Sequence, residues 1–178
     1  MLTALILSAA AAWFSIRSLG RSQYPVVGPD KVQKAFRNSV WGMPLSEVER
    51  ANGSVLVPAD KNQHFFPQED TDPSLYRSYE QHGLTFMGRE AMVAYTFRDG
   101  RLFAYHVFVT DTDREGLDAD MRRYLTRAFG PDFSEIDEEG STLKLIWQSK
   151  DRIINYWFVE DERMLRPRYK AVFGVTTR

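Results

Sequence analysis

Three histidines, His64, His82 and His106, are the side chains best suited to acid–base or metal chemistry in this chain. An imidazole titrates near neutral pH and is a common metal ligand. None of the three is spaced as a pair on one helix face, and the sequence has no His-Glu-x-x-His motif. A structural role is favoured for His106, which falls in a predicted strand. His64 lies in a polar loop and is predicted to be a contact residue.

A short acidic run offers a second kind of chemistry. Residues 111–116 read Asp-Thr-Asp-Arg-Glu-Gly, which matches the first half of a calcium loop, but the twelfth position is Arg122 where a bidentate Glu is required. A helix capping box formed by Thr112 and Glu115 explains the same residues without a metal. The chain also has no P-loop and no Gly-x-Ser-x-Gly motif. We therefore predict no catalytic residue, no cofactor and no metal site.

The composition is that of a folded protein with little net charge. The chain has 178 residues, of which 43% are apolar and 26% charged, and its net charge is −1. This length suits one ordinary domain, or a smaller domain plus an anchor. The near-zero net charge argues against nucleic-acid binding. The absence of cysteine excludes disulfides, thiolate metal sites and lipidation at a cysteine.

Residues 1–19 are predicted to be a transmembrane helix. No charged side chain precedes Arg17. A helix of this length spans about 28 Å, close to the hydrocarbon thickness of about 30 Å. Trp13 and Phe14 lie toward the Arg17 end, as interfacial aromatic residues do. The alternatives are a cleaved signal peptide, for which the small residues at 9–12 offer a cleavage site, and a buried core helix.

Basic side chains follow the apolar segment and none precedes it. Arg17 and Arg21 are predicted to lie at the membrane interface. The positive-inside rule then places the C-terminal domain on the cytoplasmic side of the inner membrane, with a periplasmic domain as the alternative. Residues 61–140 hold nine basic and sixteen acidic residues (net −7), and residues 141–178 hold eight and four (net +4). Such a separation of charge along the chain would let different faces of the domain bind different partners, or orient the domain against an anionic membrane.

Glycine, proline and polar stretches divide the remaining sequence into helices and strands. We assign residues 1–20 to the anchor, 21–40 to a linker and short helix, and 41–178 to one globular domain. Residues 58–74 are a long polar loop. The predicted helices span 31–40, 44–53 and 112–129, and the predicted strands span 75–80, 84–87, 91–98, 101–109, 142–148, 153–159 and 169–175.

The strongest turn signal is Asp99-Gly100, which predicts a two-residue hairpin between aromatic strands. The predicted pairs are Phe97 with Leu102 and Val93 with His106 on one face, and Thr96 with Phe103 and Ala94 with Tyr105 on the other. Both faces are then largely apolar, whereas a sheet covered on one side only needs a polar second face. We therefore predict that Phe103, Tyr105 and, from a later strand, Trp157 contact a partner.

The order of the elements indicates an α+β fold, an antiparallel sheet with helices on one face, preceded by the transmembrane helix. A helix followed by strands and a hairpin occurs twice. This order raises the hypothesis of two diverged helix–sheet repeats.

Residues 41–48, Trp-Gly-Met-Pro-Leu-Ser-Glu-Val, resemble a pattern of small bacterial envelope proteins, in which Gly-Met precedes a short helix and an antiparallel sheet. The small lipoproteins of the outer-membrane β-barrel assembly machine show this pattern, and β-lactamase-inhibitor-like domains share the helix-then-sheet repeat. The resemblance implies a domain that binds proteins and scaffolds complexes and is not an enzyme. The chain departs from these lipoproteins because it has no cysteine to carry a lipid.

These observations predict a non-catalytic, membrane-anchored accessory or scaffold subunit that binds and stabilises a larger integral-membrane protein complex. Its partners would be that complex and, through the N-terminal helix, membrane lipid. One alternative is a periplasmic envelope-assembly protein of the resembling type, and the other is a small hydrolase or ligand carrier that uses His64 or the acidic loops. The predicted contact residues are Leu5, Trp13, Phe14, His64, Phe65, Phe66, Phe103, Tyr105 and Trp157.

Overall fold

The computed structural model describes residues 36, 38–59, 73–136, 144–149, 152–161 and 168–177. These residues form two α-helices and an eight-stranded antiparallel sheet, so the predicted α+β class is confirmed. The helices are α1 (Leu45–Asn52) and α2 (Arg114–Phe129). The strands are β1 (Val57–Pro58), β2 (Tyr76–Phe86), β3 (Arg89–Arg98), β4 (Arg101–Asp111), β5 (Ser134–Ile136), β6 (Lys144–Gln148), β7 (Arg152–Asp161) and β8 (Arg168–Thr177).

The strands lie in the order β1-β2-β3-β4-β8-β7-β6-β5, and every neighbouring pair is antiparallel. Among the described residues, a helix followed by four strands occurs twice along the chain. The two sets of strands meet where β4 pairs with β8, which are the last strands of each set. One continuous sheet therefore spans both halves of the described chain.

Both helices pack on the same face of the sheet, α1 nearest β4 and α2 nearest β8. The buried side chains of α2 repeat at helical spacing, because one stripe of that helix faces the sheet, whereas the shorter α1 buries Val48. Full burial of each large apolar side chain stabilises the fold by about 1.5–3 kcal/mol. The core includes Val48, Leu117, Met121, Leu125 and Phe129 from the helices, and Tyr95, Phe97, Trp147, Ile154, Tyr156 and Phe173 from the sheet.

The first helix begins and ends where the sequence predicts. Pro44 precedes it in an extended conformation, and Gly53 ends it with a positive φ of 63°. The backbone N–H of Gly53 donates to the carbonyl of Arg50, and that of Ser54 donates to the carbonyl of Glu49. Glycine adopts this left-handed conformation without steric cost, so the helix stops here.

The second helix begins one position later than the predicted capping box implies. Its N-cap is Asp113, whose carboxylate accepts from the backbone N–H of Gly116. The predicted cap at Thr112 is wrong, because Asp113 holds the N-cap position; the Thr112 N–H donates to the side chain of Asp111 at 2.6 Å. The predicted stop at Gly130 is confirmed.

The predicted helix over 31–40 is not formed in its described part. Phe36 is in a bend and residues 38–42 make turns and a bridge. The backbone N–H of Gly42 donates to the carbonyl of Leu102, and the N–H of Leu102 donates to the carbonyl of Met43. This segment therefore pairs with the start of β4, a long-range contact that local sequence does not reveal.

The predicted strands 75–80 and 84–87 form one strand, β2. The predicted break between residues 80 and 84 does not occur, because the pairing register shifts between Gln81 and Leu84 and the strand continues. Gly83 has a φ of 69° and marks a bulge, a common use of glycine inside a strand. The chain reverses instead at Met87 and Gly88, which both have positive φ.

In the part of the chain that the structure describes, neither helix is long and apolar enough to cross a bilayer. The predicted anchor, residues 1–19, lies outside that part. The same holds for positions 60–72, which make up most of the predicted polar loop.

Candidate interaction surface

We call the sheet face opposite α1 and α2 the distal face. The strand register aligns one row of its residues across all eight strands, since side chains two apart on a strand share a face. No described helix packs on this face. The row is Val57, Glu80, Ala94, His106, Gly174, Asn155, Ile146 and Ser134.

The centre of this row is occupied by His106, which is 3% exposed. Its ring lies over Gly174, where a Cβ atom would stand 2.6 Å from the imidazole Nε2. The indole of Trp157 meets the imidazole edge-on, with 5.9 Å between ring centroids. Burial disfavours the charged form and lowers the pKa of His106 from 6.5 to about 4. His106 is therefore neutral at physiological pH.

A small apolar cluster extends from His106 along the distal face. Ala94, Phe108 and Val172 are buried in it, and Met92 and Trp157 pack against them while remaining partly exposed. Aromatic and aliphatic side chains of this kind form the centres of protein interfaces. The cluster thus combines a buried apolar centre with a partly exposed rim formed by Met92 and Trp157.

Phe103 is displaced from the predicted register by a bulge. The pairing shifts between Thr96 and Phe97, so that Leu102 faces Phe97 while the next pair joins Thr96 to Ala104. Phe103 is the extra residue on β4. Its ring is partly exposed, packs edge-on against Tyr76 at 5.7 Å, and lies 5.9 Å from the guanidinium of Arg98.

The same bulge overturns the predicted environment of Tyr105. The residue faces Tyr95 and not Ala94, so it lies on the helix-covered face and is 6% exposed. There its ring stacks on Trp41 at 5.7 Å, and burial raises the pKa of its phenol. Likewise His106 faces Ala94 and not Val93. One extra residue on a strand exchanges the two faces for every residue beyond it.

A polar network beneath α1 ties that helix to the sheet. The side-chain amide of Asn52 donates to the hydroxyl oxygen of Tyr95 at 3.1 Å and to Ser39 Oγ at 2.9 Å. The Tyr95 hydroxyl donates in turn to Gln81 Oε1 at 3.2 Å. The Asn52 side-chain nitrogen and the Tyr95 hydroxyl are thus bonded inside the core, which favours a structural role. Asn52 Oδ1 is buried with no partner among the described residues.

Two ion networks hold α2. Arg89 of β3 bonds Asp111 of β4 and, at 2.9 Å, Asp120 of α2. The guanidinium holds the pKa of Asp111 below its usual value, and the hydrogen bond to Asp111 raises that of Arg89. Asp111, the first residue of the run that resembles a calcium loop, is therefore paired with an arginine. No feature of the sequence alone indicated that Arg89 would bridge a strand pair and a helix.

The second network is centred on Asp118 of α2. Tyr156 of β7 donates to Asp118 Oδ1 at 2.7 Å, and Arg122 binds the same carboxylate at 2.9 Å. Burial and the bond to Asp118 raise the pKa of the Tyr156 phenol, so it remains protonated. Spacing along α2 could have predicted the pairing of Asp118 with Arg122, but not the contact with Tyr156.

The described residues contain no group of three His, Asp or Glu side chains that could hold a metal ion. The carboxylates of Asp111 and Asp113 accept backbone N–H groups at the start of α2. His82, on an exposed part of β2, is 2.8 Å from Glu80.

Of the predicted contact residues, the structure places Phe103 and Trp157 on the distal face and Tyr105 in the core. The others lie outside the described residues, as do the predicted interface residues Arg17 and Arg21. Those contact residues are Leu5, Trp13, Phe14, His64, Phe65 and Phe66.

Comparison of the chain with protein-family models, curated proteins and solved structures finds no match.

Proposed function

We propose that this protein is a non-catalytic accessory or scaffold subunit, anchored by residues 1–19, that binds and stabilises a larger integral-membrane protein complex. The observation that carries the proposal is the apolar cluster on the distal face. Its Met92 and Trp157 surround a buried apolar centre, and no described helix packs over them. Partly exposed aromatic residues around a packed centre are typical of protein-binding surfaces.

Phe103 and Trp157 are the sheet residues that the proposal retains as contacts. Both are aromatic, both are partly exposed, and both lie on the distal face. Tyr105 is withdrawn as a contact because it is buried between the sheet and the segment that carries Trp41. A partner could not reach it without displacing part of the core.

Site-specific photocrosslinking in native membranes tests this assignment. A photoreactive phenylalanine analogue is introduced at position 103 or 157 of the full chain. Tyr124 provides the control, because it is an aromatic residue of α2 with 37% exposure on the opposite side of the sheet. We expect adducts with a protein that resists alkaline extraction from positions 103 and 157, and a much weaker adduct from position 124.

Two results would count against the proposal. One is an equal yield of adducts at all three positions, which would indicate random collisions. The other is elution of the gently solubilised protein as a lone monomer in every detergent tried, since an accessory subunit should remain with its complex.

A periplasmic envelope-assembly protein is the second candidate. The observation that favours it is the order of the described elements, in which a helix and four antiparallel strands occur twice. This order is compatible with the proposed diverged repeats and with the helix-then-sheet arrangement of the proteins that the sequence resembles. The mature N-terminus, determined by mass spectrometry, separates the candidates: removal of the first residues favours the periplasmic one, and retention favours the anchor.

A further inference from the structure

Three exposed arginines surround the turn between β3 and β4. Arg98 and Arg101 flank the turn, and Arg77 lies on the neighbouring strand. Leu75 is held beside them, because its carbonyl accepts from the backbone N–H of Asp99 at 3.0 Å. We call these five residues, Leu75, Arg77, Arg98, Asp99 and Arg101, the basic tip. Three arginines and one aspartate give it a net charge of +2.

The charges of the basic tip are weakly neutralised by its described surroundings. Arg77 donates to the carbonyls of Ser74 and Tyr76, and Arg101 donates to the carbonyl of Gly42. Carbonyl oxygens accept hydrogen bonds but carry no net charge. Among the described residues, the nearest approach of these guanidinium groups to a carboxylate is 4.0 Å, from Arg98 to Asp99, and both side chains are well exposed.

Two other arginines of the described fold have different surroundings. Arg89 bonds the carboxylates of Asp111 and Asp120, and Arg122 lies within ion-pair distance of Asp118 and Glu135. The excess of positive charge at the basic tip is therefore a local feature. It contrasts with the net charge of −7 carried by residues 61–140, the segment in which the tip lies.

Apolar surface accompanies these charges. Leu75 is 40% exposed in a single 3₁₀ turn beside the three arginines. Basic side chains beside exposed apolar ones suit the headgroup region of an anionic bilayer. Arginine binds phosphate oxygens through its planar fork, and an apolar side chain can enter the acyl boundary.

We propose that the basic tip rests on anionic lipid headgroups. The idea depends on the proposed anchor only in that the anchor brings the domain to the bilayer. Residues 20–35 would link the anchor to Phe36, and a fully extended chain of sixteen residues reaches about 55 Å. Phe36 packs on Tyr105 at 5.6 Å, four residues along β4 from Arg101, which corresponds to about 13 Å. A linker of that reach allows the tip to meet the membrane.

Depth-dependent fluorescence quenching tests the proposal on the full chain. The sequence has no cysteine, so Leu75→Cys or Met87→Cys places one environment-sensitive probe. Met87 is the matched control, because it is 42% exposed at the β2–β3 turn, at the opposite end of the sheet. Each labelled protein is reconstituted into phosphatidylcholine vesicles with or without phosphatidylglycerol, with a spin-labelled lipid as quencher. We expect strong quenching at position 75 only in vesicles with phosphatidylglycerol, and weak quenching at position 87 in both.

Charge removal supplies the second arm. Each basic side chain near an anionic surface shifts the docking equilibrium about fivefold, so Arg98→Gln with Arg101→Gln should lower the ratio of docked to undocked tip about 30-fold. The control pair, Arg123→Gln with Arg127→Gln, removes the same charge from an exposed part of α2 and should leave quenching at position 75 unchanged. Circular dichroism confirms that both pairs fold.

Three results would overturn the proposal: equal quenching at positions 75 and 87, quenching at 75 that does not depend on phosphatidylglycerol, or equal losses in the two arginine pairs. The first or second would be expected if the basic tip binds an acidic protein surface instead. A wrong assignment of the anchor is recognised separately. The chain would then not co-float with pure phosphatidylcholine vesicles in a flotation assay, whereas docking to vesicles that contain phosphatidylglycerol would still report on the basic tip.

Discussion

The imidazole of His106 on β4 lies directly over Gly174 on β8, at the seam where the two sets of four strands meet. A Cβ atom at Gly174 would stand 2.6 Å from the imidazole Nε2. Contacts of Cβ atoms shorter than 3.0 Å essentially never occur in proteins. The glycine thus provides the space in which a large buried ring is accommodated in the middle of a continuous sheet.

Gly174→Ala is expected to destabilise the fold. The added methyl group must displace the ring of His106 within a packed face, and overpacking of this kind costs about 1–3 kcal/mol. Chemical denaturation measures the change in unfolding free energy. The double variant Gly174→Ala with His106→Ala should be more stable than the sum of the single effects predicts, since it removes the clash. Strict additivity of the two changes would contradict the contact.

The stability of the domain should fall as the pH is lowered from about 6.5 to about 4. The folded pKa of His106 is below its unfolded value, so over this window the unfolded state binds more protons than the folded state. The stability linked to neutral His106 is complete above pH 6.5, and about 3 kcal/mol of it is lost as the pH falls toward 4.

The difference between wild type and His106→Gln isolates this contribution from that of the carboxylates. This difference should change across the same pH window. An identical pH profile for wild type and His106→Gln would show that the buried imidazole does not couple to folding.

Arg89→Gln should weaken the attachment of α2 to the sheet. The substitution removes charge-assisted bonds to Asp111 and Asp120 and leaves two carboxylates close together, for a cost of about 2 kcal/mol. Arg123→Gln breaks only an exposed pair with Asp120 and should cost less than about 0.5 kcal/mol. Urea denaturation of both variants gives the comparison, and equal losses would refute a special role for Arg89.

Tyr95→Phe should destabilise the core without changing its shape. The variant removes the hydroxyl that accepts from Asn52 and donates to Gln81, and loss of a buried bond of this kind costs about 1–3 kcal/mol. Tyr124→Phe is the control, because Tyr124 is an exposed aromatic residue for which an effect within about 0.5 kcal/mol is expected. Thermal or urea unfolding that ranks the two variants in the opposite order would contradict the network.

The features of the fold that sequence could predict depend on local chemistry. Asp99-Gly100 produces a hairpin with positive φ at both positions, and Gly130 ends α2, because Gly and, less readily, Asp tolerate positive φ values that most other residues avoid. Each of these outcomes is decided within a few neighbouring residues.

The positions of the side chains on the candidate surface could not be predicted from neighbouring residues in the same way. The bulge at Phe103 is one residue long, yet it moves Tyr105 into the core and His106 to the distal face. The two edge strands, β1 and β5, were not predicted because they are only two and three residues long and are defined by their partners. The bridging position of Arg89 likewise depends on α2 lying across the sheet.

By itself, the sequence determined the α+β class, the hairpin turn, the bounds of both helices to within a residue or two, and the apolar character of both sheet faces. Each of these features follows from local conformational preference and from the period of the hydrophobic residues. Only the tertiary structure decided which aromatic residues face the helices, that β4 and β8 join the two sets of strands, and that arginines collect at one end of the sheet. Those outcomes depend on strand register and on contacts between residues distant in sequence, where a shift of one residue reverses a face.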